Sequence, residues 1–156
     1  MEAPAIDFDH LKRYSLFGGM TSEALDLIKP LIHLEHFDSG DVIIEEGTVN
    51  DRVYCICTGA VEVIKRSVDV RDGELRKITE MHTGDTFGEM ELIDIQPCAA
   101  TVRAMEETWV LTLSNHDLYR VSKIDMKSYA LMMMNLARDL SRRIRQMDDL
   151  IAQHKL

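Results

Sequence analysis

The chain has 156 residues, 46% apolar and 29% charged, with a formal net charge of −9. That fits one core-forming domain, argues against disorder and fibrous repeats, and makes nucleic acid a poor default partner. Three cysteines imply no disulfide framework, and no window approaches 18 unbroken apolar residues.

The start, Met1 to Asp7, is acidic and lacks a basic-plus-apolar signal segment, so the expected location is cytoplasmic with no membrane partner. Charge is uneven. Met126 to Leu156 carries six Lys/Arg against three Asp/Glu, and the preceding part carries twelve against twenty-four. An acidic body with a mildly basic tail reads as a solvated helix face, with a polyanion-binding tail as the minor alternative.

The first stretch, 1–32, reads as a helical lead. Leu25, Leu27, Ile28, Leu31 and Ile32 follow a period near 3.6, Thr21 or Ser22 caps the run, and Pro30 interrupts or ends it. From 33 to 114 the texture changes. Short runs rich in Val, Ile, Thr and Tyr alternate with Gly40, Gly47, Gly59, Gly73, Gly84 and Gly88, the pattern of an antiparallel sandwich or barrel. Val42–Ile44, Val53–Cys57 and Ala60–Lys65 are strands, and Asp72-Gly73 is a hairpin turn leading into Leu75–Thr79. Ala99–Met105 and Thr108–Leu113 form the final pair. No stretch is long enough for a crossover helix, so a parallel sheet is not expected.

The end, 115–156, reads as helical again. Asn115 caps a short helix through Val121, and a longer one runs from near Asp125 to about His154. Its apolar stripe is Tyr129, Met133, Leu136, Ala137, Leu140, Ile144, Met147 and Ile151. That helix is about as long as a body of this size is wide, so the far part of the stripe predicts a homodimer.

The most informative stretch is Gly84-Asp85-Thr86-Phe87-Gly88-Glu89-Met90-Glu91, followed by Pro97-Cys98-Ala99-Ala100-Thr101-Val102-Arg103-Ala104. A strand ending at Phe87 hands over to a short helix at Gly88, whose missing side chain lets a ligand approach the backbone. Glu89 can accept hydrogen bonds from sugar hydroxyls, and a strand start at Cys98 offers more unpaired amides. The expected ligand-binding set is Gly88, Glu89, Met90, Glu91, Cys98 and Ala99, a phosphate-and-sugar cradle. Cys98 is read as packing or as a reactive thiol, and Cys55 and Cys57 as packing on one strand face. The six histidines show no His-x-His pair, and no nucleophile-elbow or Walker motif is present. The chain is therefore expected to be neither a jelly-roll metalloenzyme nor any other enzyme.

Over Tyr14 to Ile151 these motifs resemble the cyclic nucleotide-binding domain family. The resemblance rests on Asp41–Gly47, on Val53–Val63 and on the cassette from Gly84 to Ala104. It implies a mainly β fold: an antiparallel jelly roll with a leading helical region and a long C-terminal helix. It also implies a regulatory role, with cyclic AMP or cyclic GMP as ligand and no other cofactor. Family members that bind DNA append a helix-turn-helix after the long helix, and this chain ends at Leu156, so no DNA-binding domain is expected.

One position departs. The family places an arginine against the cyclic phosphate nine or so residues after the cassette glutamate, and here Cys98 stands nine residues after Glu89. Truncating one partner of a buried charge pair costs about 2–5 kcal/mol, so nucleotide binding is expected to be weak or altered. Arg103 is an odd number of residues away and points to the other strand face, which leaves a cation from the long helix or from a partner chain. The alternative is a degenerate dimerisation or protein-interaction module that kept the fold and lost the ligand.

Overall fold

Phe8–Leu11 (α1), a 3-10 turn at Ser15–Phe17 and Ser22–Ile28 (α2) form the lead in the computed structural model, which describes residues 2–67 and 73–154. Thr21 caps α2 by accepting a hydrogen bond from the Ala24 amide at 3.1 Å. Pro30 lies in a 3-10 turn, Lys29–Leu31, that carries the chain off the helix.

Eight antiparallel strands follow: His33–Phe37 (β1), Val42–Ile44 (β2), Arg52–Thr58 (β3), Ala60–Arg66 (β4), Leu75–His82 (β5), Thr86–Phe87 (β6), Thr101–Ala104 (β7) and Thr108–Ser114 (β8). They make two four-stranded sheets in the orders β1-β8-β3-β6 and β2-β7-β4-β5. This is the antiparallel sandwich that the glycine-punctuated strand pattern implied, in the jelly-roll form that the family resemblance implied. The expected pairing of the last two strands is corrected. β7 lies between β2 and β4, and β8 lies between β1 and β3, in opposite sheets. Sequence adjacency suggested a hairpin, but Val102 and Val110 both face the space between the sheets, so the chain crosses over to bury each from its own side.

The β4–β5 arm closes through Arg66 opposite Leu75 and the Ser67 amide donating to the Glu74 carbonyl at 2.9 Å. Asp72 of the expected Asp72-Gly73 turn lies outside the described residues.

Strand alternation separates two apolar clusters. On β3, Tyr54 and Ile56 face the opposite sheet with Ile44, Val61, Phe87, Cys98, Val102 and Val110. Val53, Cys55 and Cys57 face the other way, against Leu16, Phe17, Leu25, Leu118, Met132 and Leu136 of the helical layer. Cys55 and Cys57 thus sit on one face, and burial pushes the Cys55 thiol up to about 12.

Asn115–Ile124 (α4) and Met126–His154 (α5) complete the chain. The cap of α4 is Ser114 rather than Asn115. Ser114 Oγ accepts from the Asp117 amide at 3.0 Å, and Asp117 Oδ2 accepts from the Ser114 amide at 3.2 Å. The 29 residues of α5 span about 43 Å. Its fully buried face is Ser128, Met132, Asn135 and Leu136, rotated from the expected stripe, of which Leu136 is buried and Tyr129 and Met133 pack partly buried against the same core. The rotation has a polar cause. Asn135 Nδ2 donates to the Leu16 and Gly18 carbonyls at 3.1 and 3.0 Å, and Ser15 Oγ donates to Asp139 at 2.6 Å. Ile144, Met147, Leu150 and Ile151 stay more than half exposed. Among the described residues no helix is long and apolar enough to cross a membrane.

Candidate functional site

The cassette begins where β6 ends. Phe87 stacks on Tyr54 of β3, ring centroids 4.9 Å apart and planes within 5°. Gly88 then takes φ +84°, and a Cβ there would meet the Arg52 carbonyl oxygen at 2.7 Å. Only glycine combines that conformation with that approach. Asn50 Nδ2 ties the turn down, donating to the Gly88 carbonyl at 3.0 Å and to the Arg52 carbonyl at 2.7 Å.

Glu89–Ile93 (α3) follows as a five-residue helix. Glu89 is 1% exposed, and its Oε1 accepts from Arg143 Nη1. The same guanidinium donates through Nη2 to the Thr86 carbonyl. Glu89 Oε2 is buried with no hydrogen-bond partner among the described residues. Burial pushes the Glu89 carboxyl above the usual carboxylate range, Arg143 opposes that, and the charge of Glu91 adds to it. Met90 is exposed.

The far end of the cassette differs from expectation. No strand begins at Cys98, since β7 starts at Thr101. Cys98 instead bridges to the β2–β3 loop: its amide donates to the Thr48 carbonyl and its carbonyl accepts from the Gly47 amide, both at 2.8 Å. The Cys98 side chain is buried in the inter-sheet cluster, and burial, then the charge of Glu91, pushes its thiol up. That favours packing over a reactive thiol. The Ala99 amide is already engaged, donating to Glu91 Oε1 at 3.3 Å.

The cations nearby are committed. Lys65 Nζ donates to the Ala99 carbonyl at 2.6 Å and lies 3.9 Å from Glu46. The parity count from Cys98 does not apply, because β7 starts only at Thr101; Arg103 turns outward as the neighbour of inward-facing Val102 and donates to Glu62 through Nε at 2.9 Å. The long helix does supply a cation, Arg143, but to the Glu89 end rather than to Cys98. The expected set therefore gathers at two places: Gly88 and Glu89 against α5, and Glu91, Cys98 and Ala99 against the β2–β3 loop. Sequence reasoning did not single out Arg143. Its signal is a four-residue ladder on α5, Asn135, Asp139 and Arg143, one polar contact per helical turn along the buried face.

Beside Arg143 a groove of about 610 Å³ runs between α5 and the β5–β6 edge, its walls including Ile78, Met81, Thr86, Arg142, Met147 and Leu150. No group of three or more His, Cys, Asp or Glu suited to a metal ion occurs among the described residues.

A two-sheet jelly roll that inserts a glycine-initiated helix between β6 and β7, and that ends in a long helix reaching back to that insert, defines a regulatory ligand-binding class of fold. The family model described as "Cyclic nucleotide-binding domain" matches residues 34–125, and the chain belongs to that family. It is 27% identical over 154 residues to the potassium channel SKOR of Arabidopsis thaliana, covering 97% of this chain but 18% of the channel. The chain thus spans about a fifth of that relative's length. A cyclic nucleotide-binding domain from Methylobacillus flagellatus superposes with a TM-score of 0.82 at 26% identity, covering 95% of this chain and 82% of that one. The regulatory subunit of a cAMP-independent protein kinase A from Trypanosoma cruzi, bound to guanosine, superposes with a TM-score of 0.67 at 26% identity, covering 79% of this chain and 41% of that one.

Proposed function

We propose that the chain is a regulatory small-ligand-binding domain, non-enzymatic and cytoplasmic, whose cassette binds cyclic AMP and cyclic GMP weakly. One observation carries this reading. The Ala99 amide, on the side where the family resemblance puts the phosphate, already holds the Glu91 carboxylate, with Cys98 where the arginine would stand. A phosphate entering there meets a negative charge and no uncommitted guanidinium. The guanosine held by the Trypanosoma cruzi neighbour, a ligand without phosphate, supports an altered rather than an abolished preference.

The signal would leave through Glu89 and Arg143. A ligand that displaces Glu89 disturbs its pairing with α5, and the exposed Ile144, Met147, Leu150 and Ile151 then pass the change to a second copy in a homodimer. The net charge of −9 favours neither nucleic acid nor an acidic membrane as partner.

Calorimetric titration with both cyclic nucleotides tests the reading. Wild type should bind no tighter than tens of micromolar, Cys98→Arg should gain at least tenfold, about 1.4 kcal/mol, and Cys98→Ser should gain nothing. Wild-type binding below about a micromolar would overturn it. The second reading, an interaction module without ligand, draws on the way Arg143 and Ala99 already engage Glu89 and Glu91; failure of every ligand on folded protein would favour it.

A further inference from the structure

We propose that the cassette takes an uncharged ribonucleoside in preference to a cyclic nucleotide, with Glu91 as the residue that makes the choice. This rests on the reading of the cassette as a working ligand site. The argument starts from what the cassette offers. On the α5 side, Glu89 Oε2 is an acceptor buried at 1% exposure with nothing to accept from among the described residues. On the other side, Glu91 holds the Ala99 amide through Oε1, and no partner is seen for its second oxygen among the described residues. The two carboxylates are near enough that the charge of Glu91 raises the Glu89 carboxyl. An ionised carboxylate only accepts hydrogen bonds. The cassette therefore presents acceptors where an anion would require donors.

The donors that answer them are hydroxyls. A cyclic 3′,5′-phosphate ties up both the 3′ and the 5′ oxygens of the sugar as esters, neither able to donate. Without the phosphate, both become O–H groups at the place the phosphate would occupy, and Glu91 can accept from them. The same carboxylate thus repels the cyclic nucleotide and binds the nucleoside, and discrimination against a ligand that leaves buried polar groups unpaired is steep. A base has a site to match. The groove beside Arg143 has apolar walls at Ile78, Met81, Met147 and Leu150, and Arg142 adds a guanidinium plane on which an aromatic ring can stack.

Two features argue against a cationic ligand such as a polyamine. Arg143 already neutralises Glu89, and Arg142 and Arg13 also line the groove.

The test is calorimetry on the full chain with guanosine, adenosine, 5′-deoxyadenosine, cyclic AMP and spermidine. Wild type should bind at least one of the two nucleosides tenfold or more tighter than cyclic AMP. 5′-Deoxyadenosine should lose at least threefold against adenosine. Glu91→Ala should weaken the nucleoside tenfold while leaving cyclic AMP no weaker. The double variant Glu91→Ala/Cys98→Arg should reverse the preference. If the double variant binds cyclic AMP and wild type binds no nucleoside, the pocket works and the nucleoside assignment is overturned. If neither protein, folded by circular dichroism, binds anything, the ligand-site reading itself fails. Spermidine binding to wild type with no nucleoside binding also overturns the proposal, as does nucleoside affinity unchanged by Glu91→Ala.

Discussion

The two ends of the cassette are built on different terms. At the Gly88–Glu89 end the ties reach distant chain: Asn50 holds the turn, the Arg52 carbonyl abuts it, Tyr54 stacks on Phe87, and Arg143 arrives from α5 fifty-four residues later. At the Cys98–Ala99 end the backbone is bridged to the same β2–β3 loop, and the side-chain tie is an exposed one, a carboxylate from eight residues earlier. The first end couples to the rest of the molecule through buried charge, and the second is where the proposed ligand choice would be made. A change at the first should therefore be felt in stability, and a change at the second mainly in binding.

The sharpest test of that division is Gly88→Ala. The backbone there is left-handed and the new Cβ meets a carbonyl at 2.7 Å, so a loss of about 3–5 kcal/mol is expected in urea unfolding. A loss under about 1 kcal/mol would show that the β3 edge yields and that this end is not rigid.

Arg143→Met comes next. It leaves Glu89 buried without its cation, at a cost of about 2–4 kcal/mol, short of the full range for a wholly buried pair because the guanidinium is 29% exposed. The cost should depend on pH in a definite sense. Burial already raises the Glu89 carboxyl in the folded state, and losing Arg143 raises it further. A raised acid stabilises the fold at low pH and loses that contribution as pH climbs from the unfolded value, about 4.3, through the folded one. The variant should therefore lie closer to wild type at pH 5 than at pH 8. Equal differences at the two values would remove Glu89 as the group involved.

The smallest effect is expected at the other end. Glu91→Ala removes one partly exposed hydrogen bond and should cost less than about 1 kcal/mol of stability. It also lifts a negative charge away from Cys98, so the thiol pKa should fall, read as faster modification by a thiol reagent under native conditions. A stability loss on the scale of Arg143→Met would erase the distinction between the two ends.

Much of this was legible in the chain. Glycine spacing and β-rich runs gave the sandwich, because turns with positive φ need glycine wherever strands reverse. Gly88 and Glu89 stood out because a strand-to-helix handover with an acid in the first turn is local information. Strand partners were less legible: Thr101–Ala104 and Thr108–Ser114 look like a hairpin until the inter-sheet core claims Val102 and Val110 from opposite sides. The rotation of α5 was hidden for a similar reason. Met132 and Asn135 are buried by what they meet on the helical lead, and periodicity alone favoured the neighbouring stripe. Arg143 was the least legible, since an arginine on a basic helix looks solvated until a buried carboxylate is placed beside it.

The anchoring of α5 has a mechanical consequence. Asn135 and Asp139 pin the helix near its middle, and beyond Arg143 its apolar residues are exposed. From Asn135 to His154 is about 28 Å of rigid rod. A tilt of about 10° at that fulcrum sweeps the tip through about 5 Å, close to one helical pitch. Arg143 sits about 12 Å along the arm from the same pivot, so a shift of about 2 Å in the Glu89–Arg143 contact is enough to drive it. In the proposed homodimer the helix would act as a lever of ratio about 2.3, turning a side-chain displacement inside the jelly roll into a step large enough to change which residues face the second copy.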